Sequence, residues 1–238
     1  LGLLQNLQEL FIFNNPVLSG SMPPQIGALS SLVLLNIGFN PNLVGSIPPE
    51  FGLLSNLQTL QITSNSQLSG TIPDDLQRLT NLRALYLSAN PLISGTIPAR
   101  LFAMPVLQVM DVSDCSIDTF NVSLLQSSNL RSILLAGNRI VHFSLPPYEA
   151  GDLSMSLGEI DLSGNPLNID VAVFISAIIN VFPSLEVLRC NGCSLQGQLC
   201  SENLQQFSGT WCWQANKLRI LQLSSNMISG VVLNFPSI

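Results

Sequence analysis

The stretch Leu7-Gln8-Glu9-Leu10-Phe11-Ile12-Phe13-Asn14-Asn15 decides the fold, because its form, LxxLxLxxN, returns along the whole chain. Further copies begin at Leu32, Leu57, Leu82, Leu107, Leu130, Leu157, Leu185 and Leu218. Successive copies start 25, 25, 25, 25, 23, 27, 28 and 33 residues apart. A period of this size is typical of a solenoid, in which each repeat stacks on the next.

Each copy has the pattern of a short strand with one buried face. The apolar positions of LxxLxL alternate with outward-facing residues, so stacked strands are expected to form a parallel sheet on the concave side. The final asparagine turns the chain, and its amide is expected to bond backbone groups of neighbouring turns that would otherwise be buried without partners. Cys115 and Cys193 replace this asparagine in two copies.

A second motif follows the first in four copies, at Leu18–Pro23 (LSGSMP), Leu43–Pro48 (LVGSIP), Leu68–Pro73 (LSGTIP) and Ile93–Pro98 (ISGTIP). With it the chain resembles plant-type leucine-rich repeats, whose signature is LxxLxLxxNxLSGxIPxxLGxLxx. The first part of that signature covers about the whole chain, and the LSGxIP part covers residues 1–100, with an echo at Ile228-Ser229-Gly230. The resemblance implies an α/β leucine-rich-repeat solenoid with a parallel concave sheet, a short second sheet in the first half, and 3-10 turns or loops on the convex side.

The chain departs from the family pattern in two places. An extra residue after the asparagine, as in Asn15-Pro16-Val17-Leu18, accounts for a period of 25 rather than 24. After residue 105 the LSGxIP motif dissolves, and Phe143–Pro147 and Ile169–Val171 stand in its place, so loops or a helix are expected there. The apolar run Val171–Phe182 is expected to be one buried helical segment, because it is shorter than the ~18 residues of a membrane-spanning helix.

The ends of the chain cut through repeats. Residues 1–6 resemble the tail of a preceding copy, and the last residues, Phe235-Pro236-Ser237-Ile238, fall within the ninth copy. Solenoids need polar caps to shield their terminal cores. Residues 1–238 are therefore expected to be a single solenoid of nine copies, a fragment that lacks both caps.

Composition disfavours two classes of partner. The net charge is −6, and the eight Lys and Arg residues are scattered singly, so a nucleic-acid interface is not expected. The mean hydropathy of +0.43 is too high for a disordered chain. No stretch approaches the ~18 apolar residues of a spanning helix, so contact with a membrane is expected only through segments absent from this sequence.

Nothing in the sequence marks a catalytic, cofactor or metal site. The single histidine, His142, has no nucleophile or carboxylate at a spacing that indicates a catalytic pair, and it is expected to be a surface or packed residue. Asp74 and Asp75 follow Pro73 at the start of a helical turn, where acids are favoured. No glycine-rich phosphate motif is present. The chain is therefore expected not to be an enzyme.

The cysteines allow more than one interpretation. A Cys190-x-x-Cys193 pair is compatible with a zinc or redox site. In the repeat register, however, Cys190 takes the third leucine position and Cys193 the asparagine position, so both are expected to be buried, reduced thiols. Cys200 and Cys212 lie in the insert that lengthens the eighth copy, and a disulfide between them is expected in an oxidising compartment. Cys115 is left over and is expected to be buried.

Further features favour an extracellular or cell-surface protein. Asn121-Val122-Ser123 is an N-glycosylation sequon, with Asn121 as the acceptor. The low charge, the acidic pI and the resemblance to plant-type repeats point the same way.

A column of hydroxyl residues runs through the second motif at a spacing of 25 residues, at Ser21, Ser46, Thr71 and Thr96. Flat hydroxyl arrays suit ice or carbohydrate. The favoured alternative is that a twisted second sheet prefers small residues that tolerate a strand at this position.

The concave face supplies the candidate binding residues. Its outward positions include Phe11, Phe13, Asn36, Gln61, Tyr86 and Asp111, with Phe39 beside them. Aromatic anchors carry much of the binding energy at protein interfaces, and solenoids present extended concave surfaces. For Phe11 and Phe13 the alternative is packing against preceding repeats.

The sequence thus predicts a non-catalytic module that recognises a protein or peptide ligand. The resemblance implies the ectodomain of a receptor-like or secreted protein, similar to plant receptor ectodomains and polygalacturonase-inhibitor-like proteins, and it allows a co-receptor as a further partner. One alternative is a structural or scaffolding solenoid of a cell wall, a matrix or a larger complex. Another is a cytosolic scaffold, which free thiols at Cys200 and Cys212 would favour.

Overall fold

The computed structural model describes residues 3–121, 129–144, 157–199 and 217–229. Across these residues the LxxLxLxx segments form one nine-stranded parallel sheet, as predicted, in which each strand pairs with the strand of the next repeat. The strands are Glu9–Phe13, Leu34–Gly38, Thr59–Gln61, Ala84–Tyr86, Val109–Asp111, Ser132–Leu134, Glu159–Asp161, Val187–Arg189 and Ile220–Gln222.

The leucine columns stack in register across the concave sheet. Leu10 lies opposite Leu35, and Leu60 lies between Leu35 and Leu85. Leu35, Leu60 and Leu85 are fully buried. Leu10 was also expected to be buried but is only half-buried, because its strand forms the edge of the described sheet and packs on one side only. The core runs as one continuous apolar cluster beneath the sheet.

The asparagines that end the repeats tie neighbouring copies together, as predicted. The Asn65 side chain accepts the backbone N–H of Asn40 at Oδ1 over 3.1 Å. Its Nδ2 donates to the carbonyl oxygens of Ile37 (2.9 Å) and Thr63 (3.0 Å). Asn40 and Asn90 repeat this arrangement, and all three side chains are fully buried. The ladder satisfies backbone groups that the turn removes from water.

Second-layer strands flank the asparagine ladder. They form three separate parallel sheets, made of Ser19–Ser21 with Asn42–Val44, of Ser69–Gly70, Leu92–Thr96, Ser116–Asn121 and His142–Ser144, and of Gln196–Gln198 with Met227–Ser229.

The second layer therefore continues beyond the first half of the chain. The expectation of loops or a helix after residue 105 is wrong for Ser116–Asn121 and His142–Ser144, and His142 lies in a strand rather than a loop. The strand Ser116–Asn121 lacks LSGxIP but turns Ile117 and Phe120 into the core. Backbone pairing with neighbouring repeats and two buried apolar side chains suffice to form it.

Short helices cover the convex side, as expected. The 3-10 helices are Pro24–Ala28, Pro49–Leu53, Asp74–Arg78 and Ala99–Leu101. The predicted helical segment is the α-helix Val171–Val181, capped by Asp170, whose carboxylate accepts the N–H groups of Ala172 and Val173. Among the described residues, no helix is both long enough and apolar enough to cross a bilayer.

Candidate functional site

The candidate binding residues line up across the concave sheet. Phe11 lies opposite Asn36, and Asn36 lies opposite Gln61. Gln61 lies opposite Tyr86, and Tyr86 opposite Asp111. The predicted central column is therefore present, with side chains about 4.8 Å apart, the usual distance between paired strands.

An aromatic cluster occupies the first two repeats. The rings of Phe13 and Phe39 contact each other with centroids 5.0 Å apart and planes at 56°. These two side chains and that of Phe11 are 48%, 49% and 57% exposed. Three exposed aromatic side chains thus lie on two adjacent repeats, and they are candidates for a binding surface.

The backbone at Phe39 is unfavourable for a bulky residue. The residue before the asparagine position has a positive φ in every repeat, at Asn14, Phe39, Ser64, Ala89, Asp114, Gly137, Gly164, Gly192 and Ser225. Three repeats place glycine there, the residue that tolerates this conformation best. Phe39, with φ of 55°, keeps an aromatic side chain instead. Phe39 is the only aromatic residue among these nine, so its ring is a candidate for binding.

Two buried oxygens without hydrogen-bond partners lie beside the aromatic cluster. The Asn36 amide donates from Nδ2 to Gln61 Oε1 over 3.2 Å, but Asn36 Oδ1 and Thr63 Oγ1 have no partner. Both converge on Gly38, where an added Cβ would lie 3.1 Å from Thr63 Oγ1, 3.2 Å from Asn36 Oδ1 and 3.2 Å from Phe13 Cδ2. Each unpaired buried polar group costs roughly 1–3 kcal/mol.

Gly38 and Thr63 were not among the candidate residues. Gly38 takes an outward strand position between Phe13 and Thr63, so its missing side chain lets the neighbouring groups converge. A glycine inside a strand often marks a close approach, and that signal was available in the sequence.

Carboxylates dominate the charge of the first five repeats. The concave strands of these repeats carry Glu9 and Asp111, and the exposed Arg83 lies directly before the strand Ala84–Tyr86. Asp111 Oδ1 accepts the N–H of Ser113 over 3.0 Å, which fixes its side chain, and the exposed Asp114 follows at the turn. Burial raises the pKa of the Cys115 thiol to about 11, and the nearby charges of Asp111 and Asp114 add to that rise.

The later repeats differ, because their concave charges are paired. Arg189 forms an ion pair with Glu159, and Ser132 Oγ donates to Glu159 Oε2 over 3.0 Å. Asp161 lies directly opposite Arg189 in the register. Glu159 is therefore neutralised by an ion pair, whereas Asp111 has no ion-pair partner among the described residues.

Comparisons with known proteins agree with the repeat fold. A leucine rich repeat model matches residues 41–92. The ectodomain of the Arabidopsis thaliana receptor kinase GASSHO1/SCHENGEN3, solved in complex with CASPARIAN STRIP INTEGRITY FACTOR 2, is 28% identical with a TM-score of 0.67. The Arabidopsis receptor kinase HAESA, solved with the peptide hormone IDA and the co-receptor SERK1, is 26% identical with a TM-score of 0.70. The chain has the leucine-rich-repeat fold and is similar to plant receptor ectodomains.

The match covers almost all of this leucine-rich-repeat chain but only part of the receptors. It spans 98% of this chain and 32% of GASSHO1/SCHENGEN3, and 94% of this chain and 35% of HAESA. A plant ice-binding protein is 25% identical with a TM-score of 0.62, over 93% of this chain and 73% of the other. No curated protein sequence matches significantly.

The leucine-rich-repeat register correctly predicts the burial of three cysteines, but not the bond between two of them. Cys190 and Cys193 are fully buried, as predicted, but they form a disulfide, so the prediction of two reduced thiols is wrong. The left-handed turn at Gly192 folds the chain back and brings the two Cα atoms to 5.5 Å, within the usual disulfide range. The predicted burial of Cys115 as a free thiol is confirmed.

Other predicted sites lie outside the described residues. This holds for Cys200 and Cys212, and their disulfide stays a prediction. Asn121 ends the strand Ser116–Asn121, but its side chain and the rest of the sequon are not described, so its glycosylation also stays a prediction. Within the described ranges, His, Cys, Asp and Glu residues do not gather in a group of three or more that suits a metal ion.

Proposed function

We propose that this chain is a non-catalytic recognition module that binds an extended peptide, or an extended segment of a protein, along the concave columns of its first five repeats. The observation that carries this proposal is the exposed contact of Phe13 and Phe39 beside the unpaired oxygens of Asn36 and Thr63. The site holds an apolar surface and hydrogen-bond acceptors in a rigid sheet, so a ligand gains contacts at a small entropic cost.

The similar receptors support a peptide as the ligand. HAESA was solved with the peptide hormone IDA and the co-receptor SERK1, and GASSHO1/SCHENGEN3 in complex with CASPARIAN STRIP INTEGRITY FACTOR 2. By analogy we propose that residues 1–238 form a single solenoid within an extracellular receptor-like or secreted protein, with a co-receptor as a further partner. The expected Cys200–Cys212 disulfide and a glycan on Asn121 belong to this proposal.

A display library of random peptides selected on this chain tests the proposal. Peptides enriched on the unmodified protein are measured against the Tyr86→Ala/Asp111→Ala variant, which is expected to abolish binding while leaving thermal stability nearly unchanged. The matched control is Leu53→Ala/Asp74→Ala, which removes one exposed apolar side chain and one exposed carboxylate from the convex side and should leave binding intact.

Two results would count against the concave face. One is binding that survives Tyr86→Ala/Asp111→Ala but fails on changing Trp211 and Trp213, which would place the site in the insert of the eighth copy. The other is equal loss in the concave variant and its convex control, which would indicate a general effect of charge.

Ice is a second candidate ligand, favoured by the similarity to the plant ice-binding protein and by the hydroxyl column. Ser21, Ser46, Thr71 and Thr96 are all exposed, and each of the first three lies against the glycine of the next repeat. This column would act as a flat array of hydroxyl groups independently of the concave face.

Inhibition of ice recrystallisation tests this candidate. Replacing Thr71 and Thr96 with Asp should abolish the inhibition, whereas Tyr86→Ala/Asp111→Ala should preserve it. An unmodified protein without thermal hysteresis or recrystallisation inhibition would exclude ice as the ligand.

A further inference from the structure

We propose that the concave surface between Phe39 and Asp114 binds an extended peptide that carries an apolar and a basic side chain about four residues apart. The apolar side chain contacts Phe13 and Phe39, and the basic side chain reaches Asp111 and Asp114. This inference rests on the proposed function and specifies its ligand.

The distance between the two ends sets the peptide spacing. Phe39 and Asp114 take the same left-handed turn position in the second and fifth repeats. Ser64 and Ala89 hold that position in the repeats between them, and both are small and half-buried, so no large side chain interrupts the surface. Three strand steps of about 4.8 Å separate the ends by about 14 Å. An extended chain advances 3.3–3.6 Å per residue, so about four residues span them.

The apolar end selects an apolar side chain on a peptide backbone. The Phe13 and Phe39 rings are about half exposed and already in contact, so a third apolar group completes the cluster. Next to them lie Asn36 Oδ1 and Thr63 Oγ1, which are buried without partners, and Thr63 is only 7% exposed. A peptide offers an N–H donor at every residue except proline. Phe13 Cδ2 lies over Gly38 beside both oxygens, so the inference includes a movement of this ring that would expose them to such donors.

The far end selects a cation. Asp111 and Asp114 lie three residues apart on the concave side, and neither forms an ion pair among the described residues. The residues opposite Asp111, Tyr86 and Leu134, are uncharged, and the exposed Arg83 and Arg131 lie before those two strands. The bond from the Ser113 N–H to Asp111 Oδ1 holds the carboxylate in place before a ligand arrives. Fixed, uncompensated carboxylates favour a basic partner through charge complementarity.

The test starts from random peptides selected on the unmodified chain. The selected peptides should share an apolar and a basic residue about four positions apart, in either order. Replacing the basic residue of a selected peptide with Gln should weaken its binding about tenfold or more, as measured by titration calorimetry.

A doubly substituted protein then tests whether Asp111 and Asp114 bind the basic side chain of the peptide. Asp111→Asn/Asp114→Asn keeps the side-chain shapes and the acceptor for Ser113, and Asn tolerates the left-handed turn. This variant should bind the selected peptide about tenfold less tightly and should no longer distinguish the basic residue from Gln. The control is Glu50→Gln/Asp74→Asn on the convex side, an equal change of charge that should alter neither affinity.

The outcomes separate the two proposals. Selected peptides that lose affinity for Tyr86→Ala but lack the apolar and basic pair overturn this inference and leave the proposed function standing. If Asp111→Asn/Asp114→Asn still prefers the basic residue to Gln as strongly as the unmodified protein does, this inference is overturned but the proposed function is not. If no peptide is enriched, or if binding is insensitive to Tyr86→Ala, both proposals fail.

Discussion

The thiol of Cys115 donates a hydrogen bond to the carbonyl oxygen of Leu87 over 3.3 Å. One repeat earlier, Asn90 Nδ2 donates to the carbonyl oxygen of Ile62 over 2.7 Å. Cys115 therefore fills the asparagine position of the ladder with a weaker donor, at the point where the even 25-residue period of the repeats ends.

Restoring the asparagine should strengthen the ladder at this position. A Cys115→Asn variant supplies an amide donor for Leu87 and an oxygen acceptor for the backbone N–H of Asn90. We expect the free energy of unfolding to rise by about 1 kcal/mol, the usual net value of a hydrogen bond. Urea unfolding of the two proteins measures it, and an unchanged or lower stability would show that the thiol already fits its surroundings better than an amide.

The same thiol should make stability depend on alkaline pH. Burial raises the pKa of Cys115 to about 11 in the folded protein, whereas the ordinary value is 9.0. The folded state therefore holds the proton more tightly, so this contribution is complete below pH 9 and is lost as the pH rises from 9 to about 11. The loss is on the order of 2 kcal/mol.

Cys115→Asn also serves as the control for that pH dependence. The variant should exceed the unmodified protein in stability by more at pH 11 than at pH 8. Only the unmodified protein carries the thiol, so only it loses stability as the thiol ionises. Equal differences at both pH values would mean that Cys115 does not titrate with a raised pKa.

Removing a leucine from the buried stack should lower the stability of the fold. Leu60 is fully buried between Leu35 and Leu85, so Leu60→Ala is expected to lower the free energy of unfolding by roughly 2–5 kcal/mol. Leu53 is 55% exposed on the convex side, and Leu53→Ala should change stability by less than about 0.5 kcal/mol. A similar cost at both positions, measured by urea unfolding, would contradict a core of stacked leucines.

The cysteines can be assigned by mass spectrometry after alkylation of the denatured, unreduced protein. Cys115 should be labelled, and Cys190 and Cys193 should stay unlabelled because they are bonded. Cys200 and Cys212 are also expected to stay unlabelled. A label on both Cys200 and Cys212 would show that they are not disulfide-bonded, and it would weaken the case for an extracellular protein.

The sequence was sufficient for the concave sheet because each strand carries its own signal. The apolar positions of LxxLxL fix the buried face, and the constant period puts Phe11 opposite Asn36 and Tyr86 opposite Asp111 without information from elsewhere. The asparagine ladder follows from the same register.

Features that depend on contacts between repeats were not readable in this way. Ser116–Asn121 forms a strand through backbone pairing and the burial of Ile117 and Phe120, with no motif to mark it. The Cys190–Cys193 disulfide depends on a turn that brings two inward-facing positions together. The repeat register predicts that both side chains point inward, but it does not predict the distance between the two sulfur atoms.

The turn before each asparagine supplies a last prediction, because its left-handed backbone reverses the usual order of Ala and Gly. Ala89 occupies this turn with φ of 58°, whereas Ala84 lies in a concave strand. Glycine enters the left-handed region without steric cost, so Ala89→Gly should raise the free energy of unfolding by up to about 1 kcal/mol. In the strand, glycine brings no relief of strain and only increases the entropy of the unfolded state. Ala84→Gly should therefore lower the free energy of unfolding by about 0.5–1 kcal/mol. Urea unfolding of both variants gives the two signs, and destabilisation by Ala89→Gly would mean that the turn is not strained. That result would also remove the argument that Phe39 is kept at the same turn for binding.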